Sequence, residues 1–210
     1  MKTILIKNGT VVTAADTVRA DIYIENEKIH AIGKELSMPA NIVVDAQDSY
    51  VFPGGIDAHT HLDLPFMGTF SSDDFETGTL SALCGGTTTI MDFAFQRQGG
   101  SLGEGLDTWH EKASGRALTD YGFHLAITDF NNQTRSELRN LIEKEGVTSF
   151  KAFMAYKGAL MIDDRQMLGL MHEAKKWGGL VMVHAENGDL ADHLIDENRA
   201  RGNLSPRYHA

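Results

Sequence analysis

The sequence predicts an α/β chain in two unequal parts: a small strand-only unit over residues 1–52, then five βα units over residues 53–210. Three observations predict it. Residues up to about Val51 alternate apolar and polar with period two and turn every few residues. After Pro53, strand-like runs centred near 56, 91, 125, 152 and 183 recur 27 to 35 residues apart, the period of a βα unit. Between them lie stretches with helical spacing that end at glycine.

In the first part, Thr3–Lys7 leads to Asn8-Gly9, a strong hairpin signal, and then to a second strand over Thr10–Thr13. Asp21–Glu25 and Ile29–Ile32 alternate on either side of a turn at Asn26–Lys28, and Ile42–Asp45 makes one more strand. The expected product is a small antiparallel β unit, too short to hold a core alone. In the second part the strands after the one near Ile56 are Thr87–Phe95, Tyr121–Thr128, Ser149–Ala155 and Leu180–Glu186. Their Val, Ile and Phe content suits a parallel sheet covered on both faces. Helices are expected over Ser136–Glu145 and Arg165–Trp177, with Gly146 and Gly178 just past their ends. Five such units fit a doubly wound sheet or an unfinished (β/α)8 barrel, a whole barrel taking roughly 250 residues.

Composition narrows the class. Apolar residues at 42% and charged residues at 23% are globular values. Nineteen basic against 29 acidic residues leave a net charge of −10, which repels phosphate backbones and anionic lipid, so neither nucleic acid nor a membrane is an expected partner. No apolar run approaches the roughly 18 residues of a membrane span, and the start lacks a secretory pattern. The single cysteine, Cys84, fits a reducing cytoplasm.

Chemistry-bearing residues fall at strand ends. In Asp57-Ala58-His59-Thr60-His61, side chains two apart on a strand share a face, so His59 and His61 aim two imidazoles at one point. Such a pair suits zinc-like ions, although HxH also occurs as two ordinary histidines. Asp57 is placed to orient a ligand histidine or simply to end a loop. Lys151 lies inside the apolar strand SFKAFMA. Burial favours its neutral amine, the form that reacts with carbon dioxide to give a carbamate, while a lysine snorkelling to solvent is the plainer alternative. His184 closes the apolar run LVMVH. Each taken alone fits a structural role; together, at the same end of one sheet, they point to a metal site.

These motifs resemble the amidohydrolase superfamily, in particular its cyclic amidase branch of dihydropyrimidinases and D-hydantoinases. The resemblance runs over the whole chain, through ILIKNGTVVTA, ADIYIENEKIHAIG, VFPGGIDAHTHLDLPFMG, GGTTTIMDFAF, SFKAFMAYKG and VMVHAEN. It implies a (β/α)8 TIM-type barrel, with its first five βα units in this chain, and a small β-sandwich domain built from both termini. It further implies two divalent metal ions, zinc first, with manganese or cobalt accepted by the same ligands. His59 and His61 would bind one metal, a CO2-derived carbamate on Lys151 would bridge both, and His184 would bind the second. Two ions about 3.5–4 Å apart share a water and acidify it to a bridging hydroxide. That hydroxide would attack the ring amide of a dihydropyrimidine or 5-substituted hydantoin and give an N-carbamoyl amino acid. Tyr156 would join Lys151 as a catalytic residue by hydrogen-bonding the developing oxyanion; an aromatic plug at the barrel mouth is its plainer role. Leu64, Phe66 and Phe153 are the candidates to sense substrate shape, or else plain packing.

A further metal-binding histidine and a proton-shuttling aspartate are expected beyond residue 210, so the chain reads as the N-terminal part of an enzyme roughly twice its length. No other histidine substitutes: His30 lies on a strand of the small unit, His110 and His172 in helix-like segments, His193 after a polar turn, His124 inside a strand and His209 in a loop. A homotetramer is implied as well. Rival readings are an allantoinase, a dihydroorotase and a non-catalytic scaffold of the collapsin response mediator type. Dihydroorotases carry an arginine two positions after the HxH pair to grip a substrate carboxylate; Asp63 stands there and would repel one. Allantoinases read differently over the Asp63-Leu64-Pro65-Phe66 stretch, and the intact His59, His61, Lys151 and His184 speak against a scaffold.

Overall fold

A computed structural model describes residues 2–66 and 68–208. The chain divides into two compact units, Met1–Gly55 and Ile56–Ala210.

The first unit is a five-stranded sheet of β1 (Thr3–Val12), β2 (Thr17–Glu25), β3 (Lys28–Gly33), β4 (Ile42–Asp45) and β5 (Tyr50–Val51). β1, β2 and β3 pair antiparallel, whereas β4 and β5 both run parallel to β1. The sheet is therefore mixed, not the antiparallel unit expected. Asn8-Gly9 makes no hairpin either. β1 continues through it with a register shift between Ile6 and Gly9, a bulge that uses the left-handed φ of 64° at Asn8. Two distant residues select the bulge. The buried Asp21 carboxylate accepts the Asn8 N–H at 2.8 Å, and a Cβ on Gly9 would stand 2.7 Å from the Val51 Cγ2. Val11, Ala20 and Ile22 form the small core.

The second unit is a five-stranded sheet ordered β6 (Gly55–Thr60), β9 (Thr87–Phe95), β10 (Asp120–Ala126), β11 (Ser149–Phe153) and β12 (Leu180–His184); a short hairpin, β7 (Pro65–Phe66) with β8 (Thr69–Phe70), follows β6. β9 to β12 are parallel. Spatial order follows chain order with no reversal. A doubly wound sheet would reverse at a switch point, so the architecture is the half-barrel alternative.

Helices α1 (Phe75–Cys84), α2 (Leu102–Ala113), α3 (Asn132–Glu143), α4 (Asp164–Trp177) and α5 (Gly188–Ala200) follow the successive strands. α3 starts four residues before its expected boundary because Asn131 caps it, accepting the N–H groups of Gln133 and Thr134. α4 ends at Gly178, which takes a left-handed φ of 78°. His193, expected after a turn, lies on α5; Asn187 caps that helix and Leu190, Leu194 and Ile195 are its only large apolar residues. Leu102, Leu106, Trp109, Leu138 and Leu170 of the helices bury against Ile90, Leu125 and Phe150 of the strands and Ile127 just past β10. That packing fixes the strand ends that carry the polar residues. No helix among the described residues is long and apolar enough to cross a membrane.

Candidate active site

The C-terminal ends of β6, β9, β11 and β12 surround a cavity of about 310 Å³. Its lining is His59, His61, Leu64, Phe66, Phe95, Lys151, Phe153, Tyr156, Leu160 and His184. All eight site residues expected from the sequence are thereby brought to one place.

β6 presents His59, and His61 follows directly after its end. Their rings stand 5.2 Å apart and nearly perpendicular, both against Phe93 at 4.5 and 4.8 Å. Burial holds the His61 imidazole below its usual pKa, helped by the neighbouring charges of His59 and Lys151. Neutral imidazole is the form that offers a lone pair to a metal. Asp57 accepts the backbone N–H of His59 at 3.1 Å, so it steadies the strand end and not an imidazole.

On β11, Lys151 is half-buried between the buried Phe150 and Ala152, with its Nζ 5.6 Å from the centre of the Phe153 ring. His184 pairs through Nε2 with the Glu186 carboxylate at 2.9 Å, and its ring lies 5.3 Å from Tyr156. Tyr156 takes a left-handed φ of 64°, a strained conformation for a bulky residue. Its carbonyl accepts the N–H groups of Ala159, Leu160 and Met161, and Lys157 pairs with Asp189 of α5. These contacts hold the tyrosine ring over the cavity, edge-on to Phe66 at 5.9 Å.

Asp63 does not line the cavity. Its carbonyl accepts Lys112 Nζ at 2.6 Å and its carboxylate stands 3.8 Å from the same amine. Among the described residues no three His, Cys, Asp or Glu side chains converge on one point. The donor set is three imidazoles and one amine. An ammonium at Lys151 would oppose a cation, whereas a carbamate there would offer two anionic oxygens. The residues fit a divalent metal site on that condition.

The remaining histidines stand elsewhere. His124 is buried and bridges Ser149 Oγ at 2.5 Å and the Ala58 carbonyl at 3.0 Å. His110 packs on Phe123, His30 lies 3.4 Å from Glu25, and His172 and His193 are exposed on helices. His209 lies outside the described residues.

Asp92 was missed from the sequence. It is fully buried on β9, and its carboxylate accepts Thr60 Oγ1 at 2.7 Å and the N–H groups of Leu62 and Phe93 at 2.8 and 2.7 Å. Burial pushes this carboxyl above its usual pKa, against the pull of those donors. The signal was available: Asp92 interrupts an apolar strand just as Lys151 does.

A parallel half-barrel here gathers three imidazoles and a lysine at the C-terminal ends of its strands. The sequence pattern of the Amidohydrolase family matches residues 50–201, and the chain belongs to that family. It is 52% identical over 206 residues to a D-hydantoinase of Geobacillus stearothermophilus, covering 98% of this chain and 44% of that protein. A dihydropyrimidinase of Dictyostelium discoideum is 47% identical over 189 residues, 90% of this chain and 38% of its own length. The crystal structure of dihydropyrimidinase from Brevibacillus agri superposes with a TM-score of 0.96 at 51% identity, over 99% of this chain and 45% of that one. The chain thus spans less than half the length of these relatives.

Proposed function

We propose that the protein hydrolyses the ring amide of cyclic diamides, dihydropyrimidines or 5-substituted hydantoins, to N-carbamoyl amino acids. The observation that carries this reading is the gathering of His59, His61, Lys151, His184 and Tyr156 on one cavity, in a chain half identical to D-hydantoinases. Residues 1–52 are assigned to a small β-sandwich domain and residues 53–210 to the first five βα units of a (β/α)8 barrel.

His59 and His61 would hold one divalent metal, His184 would hold a second, and Lys151, as its carbamate, would serve both. Zinc is the first choice, with manganese or cobalt accepted by the same donors. Such ions supply Lewis acidity and acidify water at neutral pH. The chain's own residues contribute binding and orientation. Burial favours the neutral His61 imidazole, the form with a lone pair to offer. The Tyr156 hydroxyl donates a hydrogen bond to the carbonyl oxygen as negative charge develops there. Leu64, Phe66 and Phe153 give the ring substituent an apolar wall and exclude bulk water. Resemblance and the lone Cys84 also support a cytoplasmic homotetramer as part of the same proposal.

The test is a substrate panel followed by loss of absorbance of the cyclic amide. Turnover of dihydrouracil or hydantoin is expected. Activity confined to dihydroorotate or allantoin, or a metal-free purified protein without turnover, sinks the reading.

A further inference from the structure

We infer that Asp92 is the positioning residue that aims His61 into the cavity. The inference rests on the metal-site reading above. Its Oδ2 accepts the Thr60 hydroxyl and the Leu62 N–H, so the two bonds bracket His61 in the chain. Its Oδ1 accepts the N–H of Phe93, the residue whose ring lies against both His59 and His61. One carboxylate thus ties down the Thr60 side chain and the Leu62 backbone on either side of one imidazole, and the floor beneath two.

The neighbouring contacts fix the chain that follows that imidazole. Leu62 is seated on Gly78 of α1, where a Cβ would come within 2.4 Å of its Cδ2. Asp63, next in line, is held through its carbonyl by Lys112. A buried charged group inside an apolar strand is costly unless its bonds are needed. Thr, Ser or Asn at position 92 could not accept three donors from the same two oxygens. Partners that orient a ligand histidine typically change metal affinity by about 10–100-fold when removed.

The experiment compares the purified holoprotein and its metal-stripped form in four versions: unchanged, Asp92→Ala, Thr60→Val and Thr60→Ser. Zinc affinity is read by chelator competition. Histidine exposure is read in the metal-free form by diethyl pyrocarbonate modification with peptide mapping. Asp92→Ala is expected to weaken zinc binding by about 10–100-fold, and Thr60→Val to weaken it less. Both should speed modification of His61 several-fold while His184 keeps its rate, and Thr60→Ser should restore both readouts. Should Asp92→Ala fail to fold, the Thr60 pair alone decides. Unchanged His61 reactivity in Thr60→Val, or His61 and His184 accelerating together, overturns the inference. An unaltered protein that takes up no zinc overturns the metal reading, while the His61 rates still judge Asp92.

Discussion

Phe153 and His184 stand opposite each other in parallel register on β11 and β12, their ring centroids 6.0 Å apart. Side chains two apart on a strand share a face, so this pairing also fixes where Lys151 points. A slip of one residue would turn Lys151 towards the helices and bury an amine among leucines. The register of one strand pair therefore sets both an expected bridging group and an expected specificity wall.

Lys151→Ala should abolish amidase activity, with a loss on the order of 10³-fold or more, since about 4 kcal/mol of transition-state stabilisation corresponds to that factor. Bound metal should fall in parallel, and added short-chain carboxylic acids should restore part of both by occupying the vacated space. Metal analysis and turnover with and without propionate check this. A variant with its full metal content and near-normal rate refutes the carbamate.

Gly9→Ala tests the bulge. The new Cβ would sit 2.7 Å from Val51 Cγ2 and 3.3 Å from the Ala46 Cβ, so β5 must shift away from β1. Overpacking of this kind costs about 1–3 kcal/mol. Limited proteolysis should then cut residues 1–55 faster, while the cavity residues keep their metal.

The site was more legible in the sequence than the fold around it. β9 runs over Thr87–Phe95 as expected, because a run of Thr, Ile, Met and Phe is a local strand signal. His59, His61, Lys151 and His184 were legible because each interrupts or closes an apolar strand, whereas Tyr156, Leu64, Phe66 and Phe153 were reached through the family resemblance. Asn8-Gly9 misled because a hairpin and a bulge both use positive φ, and the choice belongs to Asp21 and Val51, far away in sequence. α1 gave little helical signal since Gly78 interrupts it, a glycine kept there by the Leu62 side chain. Asp92 was overlooked because its three partners come from another strand end and its own backbone.

Glu173 should make the stability of the second unit depend on acid. It is buried on α4 and accepts from Lys176 Nζ at 2.9 Å, Trp177 Nε1 at 3.2 Å and Arg135 Nη1 at 3.4 Å. The hydrogen bond from Lys176, followed by that from Trp177, holds its carboxyl below the usual 4.5. A carboxyl with a depressed folded pKa stabilises above its unfolded pKa, and that gain is lost as pH falls through the folded value. Glu173→Gln should lower the melting temperature at pH 7 by about 2–4 °C. The difference should shrink below about pH 4.5 and vanish under the folded pKa. A constant difference from pH 7 to pH 3 would show that the charge contributes nothing.

Tyr156→Phe separates the two roles open to that residue. The ring keeps its contacts with Phe66, Phe153 and His184, so an aromatic plug survives the change intact. Only the hydroxyl is lost. A donor aimed at a developing oxyanion contributes roughly 10²–10³-fold to kcat, because its bond strengthens as charge builds in the transition state. KM should move little, since the ground-state carbonyl is the weaker acceptor. Metal content should stay at the unaltered level, because Tyr156 meets His184 through its ring and is no ligand in this reading. The strained φ of 64° belongs to the backbone and is the same for phenylalanine, so the melting temperature should also hold. Steady-state kinetics on hydantoin, with metal analysis of the same sample, check all three. A variant with unchanged kcat and raised KM would make Tyr156 a wall of the pocket and remove it from the chemistry.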